Sequence, residues 1–232
     1  MKTRAVNLDF DTAPSVGHTY NGKLVEKYIS TKSRILDIGC WTGQLFEAIS
    51  QKRIKISGID IDKKAVNQAK KKFPAGNWKV ASAVKLPFEN RSFDVVAFFD
   101  VIEHVPISSE NKCINEVARV LKKNGILLLS TPADNIISKF SDPAYFLMGH
   151  RHYDKKDLYR YLKKNNFVIE SSWQTGGIIY ITYYLTQMII KHLFKGSLPD
   201  NKLIDIYTKL AEKSFKKRNG ILAHYIVARL RI

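Results

Sequence analysis

A chain of 232 residues with 45% hydrophobic and 25% charged residues is long enough for one well-packed domain with an appendage, and disorder is not its default. Its net charge of +17 divides into +7 over residues 1–150 (22 Lys and Arg against 15 acids) and +10 over residues 151–232 (16 against 6). Clusters such as Lys70-Lys71-Lys72, Lys122-Lys123 and Lys163-Lys164 fall at predicted helix ends, where cations complement the dipole, and no interleaved aromatics mark a nucleic-acid platform, so nucleic acid is not expected as a partner.

Residues 1–19 are polar and read as surface chain, followed by a helix over Tyr20–Tyr28 with Leu24, Val25 and Tyr28 on one face. Arg34–Ile38 is an apolar strand that runs through Asp37 into a turn with Gly39 and Gly43, and a helix follows from Gly43 to Lys52. A second strand over Lys55–Asp60 leads to a helix over Lys63–Phe73, stopped by Pro74. Asn77–Ser82 is the third strand. Phe93–Phe99 is apolar on both faces after Asp94, as a central parallel strand should be, and it delivers Asp100 to the same sheet edge as Asp37 and Asp60. A helix from Ser108 or Ser109 to Lys123, closed by Asn124-Gly125, precedes a fifth strand over Ile126–Ser130. Residues 133–149 form an aromatic-containing excursion. Asp154 caps a helix over Lys155–Lys164, Asn166–Trp173 is the sixth strand, and residues 176–219 carry apolar residues at helical spacing before a closing strand over Gly220–Arg231.

The turn after the first strand carries the chemistry. A dinucleotide fingerprint, G-x-G-x-x-G, presses a pyrophosphate onto a helix N-terminus, but Asp37 stands where its first glycine would be. A fixed carboxylate there repels phosphate and attracts an ammonium or sulfonium group. Gly39 and Gly43 are expected to let a ligand approach bare main-chain N–H groups and to permit positive φ. Asp60, about 20 residues beyond the turn, stands where such folds hold a ribose diol. The ligand read from these residues is a nucleoside with a cationic end.

Asp37-Ile38-Gly39-Cys40-Trp41-Thr42-Gly43, taken with Gly58-Ile59-Asp60, resembles motifs I and II of the class I S-adenosylmethionine-dependent methyltransferases. Ala83-Val84-Lys85-Leu86-Pro87-Phe88 and Ser92-Phe93-Asp94-Val95-Val96 are similar to that family's third segment, and Val101-Ile102-Glu103-His104-Val105 to the segment after its fourth strand. The resemblance runs from about residue 33 to about 170 and is nearest to the small-molecule branch that includes the ubiquinone-biosynthesis enzymes. It implies an α/β, Rossmann-like, doubly wound sheet of seven strands in the order 3-2-1-4-5-7-6, with strand 7 antiparallel and helices on both faces. One domain over 1–232 is expected, with an N-terminal lid or helix over 1–30 and a helical insertion over 176–219 forming a cap.

The same resemblance implies S-adenosylmethionine as cofactor and S-adenosylhomocysteine as its product. Asp37, Gly39, Cys40, Gly43 and Asp100 would meet the methionine half, Asp60 the ribose, and Ile61 the adenine face. Ser82 and Ala83 would stand at the adenine edge, with Ser82 where the family usually has an acid. The methyl acceptor would be an oxygen, nitrogen or carbon of a small-molecule or lipid-like compound. A non-catalytic methyltransferase-like subunit and an RNA methyltransferase using the basic surface are the alternatives.

His104 is the first choice of general base, against the plainer reading that it orders its loop. Tyr20, with His18, is a lid residue that would meet substrate, and His150 and His152 are substrate contacts or loop anchors. No metal is expected, because no third and fourth ligands stand at a supporting spacing around these histidines. Residues 176–219 are interrupted by Thr182, Thr186 and Gln187 and are too polar for a membrane span. They read as a cap over the acceptor pocket or as a peripheral membrane contact helped by Lys213, Lys216, Lys217 and Arg218. Cys40 and Cys113 lie far apart outside any C-x-x-C pairing, and the basic start Met1–Asn7 lacks an apolar core behind it. Together they point to a cytoplasmic protein, whose oligomeric state is left open.

Overall fold

A computed structural model describes residues 16–49, 54–193 and 202–231. Its strands are β1 (Arg34–Ile38), β2 (Lys55–Asp60), β3 (Asn77–Val80), β4 (Phe93–Phe99), β5 (Leu121–Pro132), β6 (Phe167–Thr175) and β7 (Ala223–Leu230). They form one sheet in the order β3-β2-β1-β4-β5-β7-β6. The pairs from β3 through to β5 are parallel, and β7 runs antiparallel to both of its neighbours. The expected topology holds in full.

The helices are α1 (Val16–Glu26), α2 (Gln44–Ala48), α3 (Lys63–Lys72), α4 (Glu110–Val120), α5 (Ile136–Phe140), α6 (Pro143–Met148), α7 (Lys155–Lys164), α8 (Ile178–Leu193) and α9 (Lys202–Phe215). Alternate residues of each central strand feed two separate cores, because successive side chains point to opposite faces. Leu36 and Ile38 of β1 and Val96 and Phe98 of β4 meet Ile114 and Val117 of α4 and Leu158 and Leu162 of α7. Ile35, Val95 and Ala97 look the other way, toward Leu24 and Val25 of α1, Val66 and Ala69 of α3 and Phe215 of α9. Asp37 shares the side-chain parity of this second face, which is why its carboxylate faces the α1 and α2 side.

The helix expected to run to Lys123 stops at Val120. Leu121, fully buried, is drawn into the sheet opposite Phe93, while Ile126 pairs with Val95. The intervening residues loop out through Asn124, whose φ is +60°. The excursion over 133–149 contains two short helices, each begun by a side-chain cap. Asn135 accepts from the Ser138 N–H, and Asp142 Oδ1 accepts from the Ala144 N–H at 2.9 Å. Such caps replace the missing partners of a first helical turn.

Helices α8 and α9 occupy much of the predicted insertion. Tyr180 and Phe215 pack together and reach Tyr20 and Tyr225 of the body. The Tyr207 hydroxyl donates to Thr182 Oγ1 at 3.0 Å between the two helices. Among the described residues, no helix is long and apolar enough to cross a membrane. Residues 1–15 of the predicted lid and residues 194–201 of the predicted cap lie outside the described residues.

Candidate functional site

The carboxyl ends of β1, β2 and β4 bring Asp37, Asp60 and Asp100 to one sheet edge, where open α/β sheets receive ligands. A cavity of about 180 Å³ opens there between α1 and the turn after β1. Asp37, Gly39, Cys40 and Asp100 line it, joined by His18 and Asn21 of α1, Gln44 and Leu45 of α2, and Phe99. His18 is thus at the cavity, contributed by α1. Asn21, Gln44 and Phe99 carry no sequence signal beyond their neighbourhood to the motif.

The turn is built differently from the expectation of bare N–H groups. The Gly39 and Cys40 amides both donate to the Ile59 carbonyl, at 2.8 and 2.9 Å. The Trp41 amide donates to Asp60 Oδ2 at 3.0 Å, and the Gly43 amide to the Cys40 carbonyl at 2.8 Å. These four amides are spent inside the protein and are not offered to a phosphate, whereas the carboxylates of Asp37 and Asp60 remain beside the turn. The glycines answer a backbone need. Gly39 has φ +78° and Gly43 +87°. A Cβ on Gly39 would come within 2.3 Å of Val101 Cγ2, and one on Gly43 within 2.7 Å of the Phe73 ring. Gly43 is outside the cavity lining and serves as the left-handed residue that starts α2.

Asp37 is 5% exposed. Burial, with the Asp60 carboxylate nearby, pushes its pKa up to about 7. An acid held in this way gains from any cation placed beside it. Asp60 also accepts from the Asp62 amide at 2.9 Å through Oδ1, so each of its oxygens is oriented by one backbone donor and keeps a free lone pair. Asp100 has φ +53° and accepts from Ser130 Oγ at 2.8 Å. Burial against the surrounding protein pushes its carboxyl upward, opposed by the Ser130 hydrogen bond and by nearby His150. Non-glycine residues at positive φ persist where the surrounding structure over-determines them. Trp41, at +45°, is a second one in this site.

Other expected residues fall elsewhere. Ile61 is 77% exposed just beyond β2, an open apolar ledge outside the cavity. Strand β3 ends at Val80, and Ser82 closes a short turn in which the Lys85 amide donates to the Ser82 carbonyl at 3.1 Å. Ala83 is buried beneath that turn. Tyr20 is a packing residue: its hydroxyl accepts from Trp173 Nε1 at 3.0 Å, and its ring meets Phe215 and Tyr225 edge-on. A larger cavity of about 570 Å³, around Trp173, Arg218 and His224, contains none of Asp37, Asp60 or Asp100.

Beyond Asp100, the segment 101–105 is clamped by Arg151, which donates to the carbonyls of Ile102, Glu103 and Val105 and pairs with Glu110. The Tyr153 hydroxyl lies 3.0 Å from the Ile102 carbonyl and 3.1 Å from Glu110. His104 Nε2 faces His150 Nε2 at 3.2 Å. Desolvation on its packed side and the facing His150 ring hold the His104 imidazole below its ordinary range, although the residue is exposed on its other side. A lowered pKa makes it a weaker base. His150 and His152 both turn toward Asp142, a convergence that spacing alone did not show.

Residues 36–129 match the family model described as a methyltransferase domain. The ubiquinone/menaquinone biosynthesis C-methyltransferase UbiE of Campylobacter jejuni is 33% identical over 114 residues, which are 46% of this chain and 48% of that protein. A probable S-adenosylmethionine-dependent methyltransferase of Mycobacterium tuberculosis, Rv3030, is 32% identical over 102 residues, 44% of this chain and 36% of that protein. The matched stretch thus spans half or less of these curated relatives. The crystal structure of a putative sarcosine dimethylglycine methyltransferase from Galdieria sulphuraria superposes with a TM-score of 0.68 at 15% identity, over 93% of this chain and 85% of that one. That likeness establishes the fold. Residues 36–129, which carry the motifs and the sheet edge described above, are thus similar to S-adenosylmethionine-dependent methyltransferase domains, and the chain shares the fold of the solved structure.

Proposed function

We propose that the protein transfers a methyl group from S-adenosylmethionine to a small-molecule or lipid-like acceptor. The observation that carries this reading is the pairing of a buried, cation-seeking Asp37 with a turn in which the Gly39, Cys40, Trp41 and Gly43 amides are already spent. Such a cavity suits a ligand that is positive at its amino-acid end and penalises a pyrophosphate. When bound, the cofactor supplies a methyl group already activated on a sulfonium, so the protein's work is alignment and exclusion of water.

Asp37 holds the ammonium, Asp60 orients the ribose hydroxyls through its free lone pairs, and Ile61 offers an apolar ledge to the adenine. Ser82 and Ala83 bound the adenine edge. Asp100, aimed by Ser130 and set beside the cavity, favours positive charge near the methionine portion. The loop 101–105, fixed by Arg151, presents His104 on the acceptor side. For an oxygen or nitrogen acceptor, His104 takes the proton; its lowered pKa keeps it neutral and able to accept at physiological pH, at some loss of basicity.

A lipid-like acceptor is favoured by α9, which carries two apolar stripes. Ala211 and Phe215 are buried, while Leu203, Ile206 and Leu210 form an exposed line flanked by Lys202, Lys209 and Lys213. An exposed apolar stripe rimmed by lysines fits a peripheral contact with an anionic membrane. Incubating the protein with methyl-labelled cofactor and cell extract divided into lipid, small-molecule and RNA fractions tests the reading. Label in the lipid or small-molecule fraction is expected, and label in RNA alone, or in none despite tight cofactor binding, overturns it.

A further inference from the structure

The hydrogen bonds around His152 determine which of its ring nitrogens carries a proton. Nδ1 lies 3.1 Å from the Ala133 carbonyl and 3.2 Å from Ser138 Oγ. The carbonyl can only accept, and the single Ser138 hydroxyl proton is committed to the Leu222 carbonyl at 2.9 Å. Both neighbours therefore demand a donor, and Nδ1 carries the hydrogen. In a neutral imidazole Nε2 is then bare, yet it faces Asp142 Oδ2 at 3.0 Å. Two lone pairs at that distance repel unless a positive charge lies between them.

A second ring faces the same oxygen. His150 turns Nδ1 to Asp142 Oδ2 and Nε2 toward His104 and Glu103. Glu103 is 3% exposed, and its Oε1 has no hydrogen-bond partner among the described residues while lying 3.8 Å from His150 Nε2. An orphaned buried carboxylate oxygen aimed at the far nitrogen of an imidazole is what a ligating histidine uses to fix its orientation.

We propose that Asp142 Oδ2, His150 Nδ1 and His152 Nε2 form a binding site for one divalent transition-metal ion. The three atoms lie within 4.8 Å of one another. Ligands about 2.0–2.1 Å from a tetrahedral zinc stand about 3.3 Å apart, so small rotamer shifts suffice. Two imidazoles and one carboxylate select zinc, cobalt or iron over magnesium or calcium, whose sites are built from oxygens. The surrounding partners are in place: the Ala133 carbonyl holds His152, and His150 Nε2 lies 3.2 Å from His104 Nε2 with Glu103 Oε1 3.8 Å away. The His152 side chain is fully buried, while those of His150 and Asp142 are 13% and 20% exposed, which leaves an entry path and a fourth position open to water or a ligand. Bound there, the ion ties the N-cap of α6 to the segment entering α7, beside the acceptor side of the cleft.

The competing state is a doubly protonated His152 in an ion pair with Asp142. Tag-free, chelator-stripped full-length protein titrated with Zn²⁺ by calorimetry, and with Co²⁺ by visible absorption, separates the two. One ion per chain is expected, with the absorption bands of nitrogen- and oxygen-ligated Co²⁺, and His152→Ala or Asp142→Ala should weaken binding by at least about 100-fold. Should either variant fail to fold, His150→Ala and nitrogen-detected NMR of the wild-type imidazoles decide. No stoichiometric binding, binding unchanged in the folded variants, or an imidazolium signal from His152 that persists with excess Zn²⁺ overturns the proposal. S-adenosylhomocysteine affinity measured on the same samples reports the cofactor site separately, so either reading can fail alone.

Discussion

Replacing Asp37 with Asn isolates the electrostatic element on which the proposed cofactor site depends. An ordinary aspartate ionises near 3.8, and Asp37 near 7. The folded chain binds its proton more tightly than the unfolded chain, so stability falls as pH rises between those values and is flat beyond them. Keeping Asp37 ionised at pH 8 therefore costs the ligand-free protein about 4 kcal/mol. Asp37→Asn removes that cost without changing side-chain size. Urea unfolding of both proteins at pH 5 and pH 8 should show the wild type losing about 2.6 kcal/mol more than the variant over this interval, the rest of the cost falling below pH 5. The variant should bind S-adenosylhomocysteine at least about tenfold more weakly, having lost the ammonium's partner. Wild-type binding below pH 7 should release a proton, seen as a buffer-dependent calorimetric heat. Parallel loss of stability in the two proteins, with unchanged affinity, would refute the argument.

Asp60→Ala leaves the Trp41 and Asp62 amides, and on the proposed binding mode two ribose hydroxyls, without their acceptor. A loss of about 2 kcal/mol, roughly 30-fold in calorimetric affinity, is expected, and an unchanged affinity removes Asp60 from the site. Gly39→Ala forces a side chain into a left-handed position against Val101, and the urea midpoint should report destabilisation of about 2 kcal/mol or more; a wild-type midpoint would mean the turn has another conformation. The combined change Leu203→Asn, Ile206→Asn and Leu210→Asn should cut co-sedimentation with anionic phospholipid vesicles by at least about tenfold while leaving cofactor affinity alone. Wild-type protein that ignores such vesicles would sink the membrane contact.

Much of the molecule was legible in the order of its residues. The apolar runs leading to Asp37, Asp60 and Asp100, together with the glycine turn, sufficed to place the strands and the sheet edge, while the strand order came from the motif resemblance and is the one observed. These are local signals: a strand's period and a turn's spacing are written in neighbouring residues. The destination of the turn's amides was not legible, because their acceptor, the Ile59 carbonyl, arrives from the adjacent strand. Leu121 was misread as helical for a similar reason, since its pairing with Phe93 outweighs local helix preference.

What tertiary structure alone decided is clearest at Asp142, His150 and His152. Spacing placed the two histidines beside Arg151 and found no further ligand, and Tyr20 looked like a lid residue. Folding turned Tyr20 inward onto Trp173 and brought Asp142, from the cap of α6, against both imidazoles. A sequence displays which groups are available and the period at which they repeat. Which of them share a donor, a proton or an ion depends on distances across separate elements, and those exist only once the sheet has brought the elements together.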